Sequence, residues 1–297
     1  MTASAAYARR SKTVLPDTAS LPSLALIAGS GRLPQLLAQA ARAQGRRISV
    51  FVFDPLLAEA FSGFDTHVLN FAQVGVLMDL MKKLAIGELV MAGKIHRPDF
   101  SKLRPDATGM LMLPAILAAA ARGDDALISA VVKIFESRGI KIIPPEMIMQ
   151  ELVPVSAQWT VRAPSAVDLI DIEKGFQVAR ALGALDIGQG VVVADGLVLA
   201  AEAAEGTDAM LMRVAQLPDA IRGAQSRRRG VLVKCAKPTQ ERRVDLPAIG
   251  PDTVAHADKA GLSGIAVEAG GSLIIDRDAV IAAADRFGLF VISTGGA

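Results

Sequence analysis

The chain has 297 residues, 52% of them hydrophobic and 21% charged, with a formal net charge of +2. A chain this long buries roughly 75% of the surface it exposes unfolded, which leaves room for two domains and excludes wholesale disorder. Its single cysteine, Cys235, excludes an internal disulfide framework and fits a reducing compartment.

Residues 1–21, with Arg9, Arg10 and Lys12 among small and polar neighbours, carry no hydrophobic signal region and are expected to form a loose N-terminal extension. The apolar run 24–28 is closed by Gly29-Ser30-Gly31, and a helical pattern follows from Leu33 to Ala43. Strands are predicted at 48–53, 66–71 and 88–92, with helical stretches at 56–61 and 74–84 between them. Short buried strands alternating with helices predict an α/β domain with a Rossmann-like parallel sheet over 22–153. In such sheets functional residues gather at the carboxyl ends of strands. Here those ends are Gly29-Ser30-Gly31, Asp54, and the loop that runs from Gly93 and Lys94 through His96 and Arg97 to Phe100.

Two more helices are expected at 111–121 and 124–137, then a strand at 141–143. The longest uncharged apolar stretch, 108–121, contains Pro114 and falls short of the ~20 residues a bilayer span requires. A cytoplasmic protein is expected. Pro154, Trp159 and Pro164 mark a linker at 154–164, and an α+β domain is expected over 165–297. That domain opens with a helix at 166–182 and a hairpin over 191–202, signalled by the Asp195-Gly196 turn. A second hairpin is predicted over 264–276, followed by a helix at 278–287 and a strand at 289–293.

The glycine turn Gly29-Ser30-Gly31 opens a helix whose free amides can hold an anion. It is half a dinucleotide fingerprint, since Pro34 stands at the third glycine position, although Asp54 lies at a suitable distance to hold a ribose. The loop at Gly93-Lys94 would meet any ligand lying over the sheet edge. Arg122-Gly123-Asp124-Asp125 reads as a helix cap. Gln189, in Asp186-Ile187-Gly188-Gln189-Gly190, suits contact with a base or a phosphate. Thr207 and Asp208 are placed near a helix N-cap, another anion site, whose acids would suit a metal. The histidines His67, His96 and His256 are widely spaced and make no zinc pattern, so a metal here would be a hard ion such as Mg²⁺.

Residues 222–243 hold eight cations (Arg222, Arg227, Arg228, Arg229, Lys234, Lys237, Arg242, Arg243) against one acid, Glu241. No aromatic residue occurs among them, which argues against a nucleic-acid surface. Lys234 and Lys237 lie three apart, on opposite faces of a regular strand, and a bend at Pro238 is expected to bring them together as a phosphate site. Asp245 follows at once. A carboxylate amid cations is favoured in its ionised form, so it is expected to stay charged at neutral pH and to ligate a metal or orient a water.

Six blocks in order resemble the UDP-2,3-diacylglucosamine pyrophosphatase family of lipid A synthesis, the one unrelated to calcineurin-like phosphoesterases. They are LIAGSGRLP at 26–34, AGKIHRPDF at 92–100, RGDD at 122–125, LDIGQG at 185–190, EGTDAM at 205–210 and KPTQERRVDLP at 237–247. The resemblance implies two domains with substrate in the cleft between them. The implied reaction is Mg²⁺-dependent hydrolysis, with Mn²⁺ as a substitute, of UDP-2,3-diacylglucosamine to UMP and 2,3-diacylglucosamine 1-phosphate. It implies Asp245 as the essential aspartate; as metal ligands, the residues themselves point to Asp245 with Asp208 as a second. Gly29, Ser30, Gly31, Arg32, Leu33, Gly93, Lys94, Gln189, Thr207, Asp208, Lys234 and Lys237 fall on its substrate-lining segments. Lys94 stands where many members have Asn, which leaves that contact open. The lipid substrate makes peripheral contact with the cytoplasmic face of the inner membrane an expectation, and a homodimer is compatible with it. The Met- and Leu-rich stretch 110–120 reads as helix core or, alternatively, as an acyl groove. A non-catalytic nucleotide- or lipid-binding module and an NAD-linked oxidoreductase remain as rival readings.

Overall fold

A computed structural model describes residues 21–95 and 103–295; the extension through residue 20, His96 and the rest of the 96–102 loop lie outside the described residues. In the first half β1 (Ser23–Ala28), α1 (Leu33–Ala43), β2 (Ile48–Val52), β3 (Asp65–Val68), α2 (Val74–Lys83) and β4 (Ile86–Ala92) follow one another. Then come α3 (Ala107–Ala120), α4 (Asp124–Glu136) and β5 (Lys141–Ile142). The five strands form an all-parallel sheet in the order β3-β2-β1-β4-β5, which reverses direction of winding between β1 and β4. The central strands are buried on both faces, as their unbroken apolar runs require. One face packs on α1 through Leu33, Leu37 and Ala41, the other on α2 and α4 through Leu77, Met81 and Phe135.

β6 (Ala157–Gln158) lies in the expected linker and already belongs to the second sheet. The second half continues with α5 (Ala166–Ala184), β7 (Gly190–Ala194), β8 (Leu197–Ala201), α6 (Gly206–Ala215), α7 (Asp219–Arg222), β9 (Gly223–Ala224), β10 (Arg227–Arg228) and β11 (Val231–Lys234). It closes with β12 (Ala248–Ile249), α8 (Pro251–Lys259), β13 (Gly264–Glu268), β14 (Leu273–Ile274), α9 (Arg277–Phe287) and β15 (Phe290–Thr294). The six-stranded sheet β6-β15-β13-β11-β7-β8 is mixed, and this half is α+β. Its β7–β8 hairpin turns at Asp195-Gly196, both at positive φ, as that dipeptide predicts. Ser165 and Asp168 form a capping box at the start of α5, which covers one face of the sheet.

One expectation needs correction here. Residues 264–276 are not a hairpin: β13 pairs in parallel with β11 and β15, while β14 pairs with β12 in a separate two-stranded sheet. Strands β11, β13 and β15 are parallel and joined through α8 and α9, so the second half also contains helical crossovers. The small β12–β14 pair does not join its own sheet. Leu273, with Leu246, Ala248 and Ile275, packs into the α1 side of the first half's core.

Candidate active site

The carboxyl ends of β1 and β4 meet where the first sheet reverses its winding. Ser30 and Lys94 exchange backbone hydrogen bonds of 2.9 Å in both directions, and the Ser30 hydroxyl donates to the Lys94 carbonyl at 3.2 Å. This tight approach explains the glycines. A Cβ on Gly29 would stand 2.6 Å from the Lys94 carbonyl oxygen, and one on Gly93 would stand 2.7 Å from both Ser30 O and Pro34 Cγ. Gly93 also holds φ +88°. Pro34 is therefore packed against Gly93, in place of a third glycine facing a pyrophosphate. Arg32 leaves the turn to pair with Asp276 of the second half at 2.8 Å, and Leu33 is core. Asp54 accepts a hydrogen bond from Leu56 N, capping the 3-10 helix Pro55–Phe61. That local use removes the support Asp54 gave to the NAD reading.

Across the cleft, Lys234 ends β11 in a buried position. Its ammonium donates to Thr207 Oγ1 at 2.6 Å and to the Ala248 carbonyl at 3.2 Å, and lies 3.9 Å from Glu202 Oε2. Thr207 donates in turn to Glu202 Oε1 at 2.8 Å. Thr207 and Asp208 sit in the first turn of α6, next to its N-cap Glu205, as the sequence places them. A Cβ on Gly206 would lie 3.6 Å from Lys94 Nζ, so Lys94 crosses the cleft to the start of α6. An ammonium and the unpaired amides of a helix N-terminus there make a site for an anion.

Lys237 leaves the other side of the chain. Its ammonium donates to Asp186 at 2.6 Å and Asp125 at 3.0 Å, and Thr239 donates to the other Asp125 oxygen at 3.2 Å. Burial works against the Lys237 charge, but the two carboxylates hold its pKa above the ordinary lysine value. The two lysines thus serve different partners rather than forming a free phosphate pair, and both act on the Asp245 carboxyl. Nor does the basic segment surround a lone acid. Arg222, Arg228, Arg229 and Arg243 pair with Asp219, Asp258, Asp195 and Glu136, respectively.

Asp245 Oδ2 accepts from Gln240 Nε2 at 2.8 Å, and the same nitrogen donates to Gln189 Oε1 at 3.1 Å. With its oxygen so used, the Gln189 amide nitrogen is left as a donor. Burial pushes the Asp245 carboxyl above its ordinary value; Gln240, Lys237 and Lys234 oppose that, and Asp125 adds to it. This reverses the expected direction. Desolvation outweighs the lysines because each lysine already serves carboxylates of its own.

Asp245 stands on the wall of a cavity of about 510 Å³. Lys94, Asp124 and Lys237 supply its other charged lining; the rest is overwhelmingly apolar, including Phe53, Met78, Met112, Leu113 and Ile116. Such a chamber takes a ligand with a large apolar part and an anionic end.

Two family models match the chain in tandem, the LpxI N-terminal domain over residues 23–152 and the LpxI C-terminal domain over 155–292. The chain belongs to the LpxI family. The UDP-2,3-diacylglucosamine pyrophosphatase LpxI of Caulobacter vibrioides is 47% identical over 273 residues, which are 91% of this chain and 96% of that protein. Among solved structures, CobK precorrin-6A reductase aligns over 93% of this chain and 90% of its own at 12% identity, with a TM-score of 0.32.

Of the residues that the family resemblance singles out, the structure links Ser30 to Lys94, Lys94 to the start of α6, Thr207 to Lys234, and Gln189 through Gln240 to Asp245. Asp208 is apart. It is exposed and its carboxylate lies 3.3 Å from His256 Nδ1, and no hydrogen bond or ion pair joins it to Asp245. Among the described residues no three His, Cys, Asp or Glu side chains are grouped to hold a metal. A Mg²⁺ ion held in the usual manner, by one or two carboxylates and completed by substrate phosphates, would take its protein donors from Asp245 and Asp124, which both line the cavity. Asp208 as its second ligand finds no support in this geometry. Sequence reasoning missed Glu202 and underrated Asp125. Asp125 was read as a cap, yet the N-cap of α4 is Gly123, with no side-chain cap bond, and Asp125 serves Lys237 and Thr239 instead.

Proposed function

We propose that this chain hydrolyses the pyrophosphate bond of UDP-2,3-diacylglucosamine, releasing UMP and 2,3-diacylglucosamine 1-phosphate for lipid A synthesis. The observation that carries this reading is Asp245 on the wall of a large apolar cavity, in a chain 47% identical to a pyrophosphatase of that substrate. An acylated sugar would place its chains among Met112, Leu113 and Ile116, with its phosphates at the polar end near Lys94 and Lys237. Lys94 and the α6 N-terminus would neutralise one phosphate group, and the Gln189 amide would donate to the nucleotide side. Lys234 is held by Thr207 and Glu202, near enough to Asp245 to draw on its carboxylate.

Asp245 would act as metal ligand or as the group that orients the attacking water, and Lys237 fixes the segment that carries it. Mg²⁺, when bound, would offset charge on the phosphate oxygens and lower the pKa of a bound water. We place the protein in the cytoplasm. No helix among the described residues is long and apolar enough to cross a membrane.

UMP release by purified protein, with Mg²⁺ and with EDTA, beside Asp245→Ala, tests the reading. Release that needs the metal and is lost in the variant is expected. Release indifferent to EDTA would retain the hydrolase and remove the metal. No release from folded wild type would leave a binding module.

A further inference from the structure

We propose that the outward face of α3 docks this protein onto an anionic phospholipid bilayer, so that the cavity behind the helix loads from the lipid phase. The inference rests on the lipid-substrate reading above. α3 has no charged side chain in its 14 residues. A helix apolar on all sides is ordinarily buried. Here only Gly109, Ala119 and Ala120 are buried, while Met112, Leu113 and Ile116 face the cavity. The opposite side is open to solvent. Leu111 is 83% exposed, Met110 61% and Leu117 41%. Exposed residues Ala107, Met110, Leu111, Pro114, Ala115 and Ala118 recur at helical spacing, so they form one continuous stripe.

Three observations favour a bilayer as the occupant of that stripe. The helix is about 21 Å long and about 10 Å wide. Its outer face therefore covers roughly 200 Å², about a quarter of the ~800 Å² per partner that a stable protein interface needs. Exposed Arg104 and Arg122 stand just beyond its two ends, where anionic headgroups attract cations. The nearest acid at the N-terminal end, Asp106, is turned inward to accept from Gly109 N at 2.7 Å and Val76 N at 3.1 Å. Pro114 has no amide hydrogen to give the Met110 carbonyl, so the stripe suits the interfacial zone rather than the hydrocarbon centre. An acyl chain crossing open water is penalised for every CH₂ it exposes, and a cavity walled by a membrane-seated helix avoids that crossing.

The test is flotation of the full chain with vesicles of phosphatidylcholine, with and without phosphatidylglycerol, for wild type and for Met110→Asp/Leu111→Asp. Neither residue lines the cavity. Wild type should float with the anionic vesicles, and the double variant should partition at least about tenfold less, the factor that 1.4 kcal/mol represents. Arg104→Ser/Arg122→Ser should lose the preference for phosphatidylglycerol. UMP release from detergent-dispersed substrate should be the same in wild type and both variants, and should fall in Met110→Asp/Leu111→Asp only for vesicle-embedded substrate. Flotation unchanged by the aspartates, or no flotation of wild type while UMP is released in detergent, overturns the docking and leaves the hydrolase. Flotation lost in the variant without any UMP release from wild type overturns the hydrolase and leaves the docking. A change from dimer to monomer on light scattering, with no vesicle binding, assigns the stripe to a second copy and overturns the proposal.

Discussion

Asp245 carries opposite demands. Its folded pKa is raised above 3.8, chiefly by burial, so the folded chain holds that proton more tightly than the unfolded chain does. The sign follows from linkage: stability is greatest below the ordinary value, falls as pH climbs towards the raised folded value, and stays reduced at neutral pH. Asp245→Asn removes this penalty while keeping the shape. The variant should melt above wild type at pH 7, the gap should close below pH 3.8, and UMP release should be lost. A lower melting temperature at pH 7 would mean that the bond from Gln240 outweighs desolvation. A gain in stability with a loss of turnover is the pattern of a group kept for chemistry at the expense of the fold.

At the scale of elements, α3 separates the cavity from solvent, and filling its inner face should act on substrate rather than fold. Ile116→Trp puts a larger side chain into a space that already exists. Its KM for the long-chain substrate should rise on the order of tenfold, about 1.4 kcal/mol, while the deacylated UDP-sugar is handled as by wild type. Unchanged chain-length preference would remove this cavity as the acyl site. Much of the element order was legible. The runs at β1, β4 and β7 are apolar enough to require burial, and Asp195-Gly196 sets its own turn. The expectation of a hairpin over 264–276 failed because Gly270-Gly271 signals a local turn, whereas the partners of β13 and β14 are chosen by packing elsewhere in the chain. Asp125 and Glu202 were illegible for the same reason. Asp125 meets Lys237 112 positions away, and Glu202 meets Lys234 across the sheet, so neighbouring residues showed only a cap or a strand end. Charge counting likewise found the lysines and missed the acids that occupy them.

For the whole molecule, ion pairs join the halves at Arg32–Asp276, Lys237–Asp125 and Arg243–Glu136. Lys237 matters most, because it and Asp125 are largely buried and it also holds Asp186. Lys237→Met leaves two carboxylates without their cation and should destabilise by on the order of 3 kcal/mol. Since the folded pKa of Lys237 is raised, its contribution is complete below 10.5 and is lost as pH rises through the folded value. Urea melts should therefore show wild type losing in alkali a contribution that Lys237→Met lacks already at pH 7. Equal urea midpoints at pH 7 would assign the joining of the halves to the other two pairs and to apolar contact.

The β12–β14 pair has a consequence for biogenesis. Leu246, Leu273 and Ile275 complete the core beneath α1, yet they come from near the end of the chain. On the ribosome, the roughly 120 residues that follow Val153 up to Leu273 take roughly 6–24 s to add. Throughout that interval the nascent first domain has all its strands and an uncovered apolar face, which is where a chaperone would find it. The segment holding Asp245 then docks as part of the closing step, so the active site and the last missing piece of the first core arrive together.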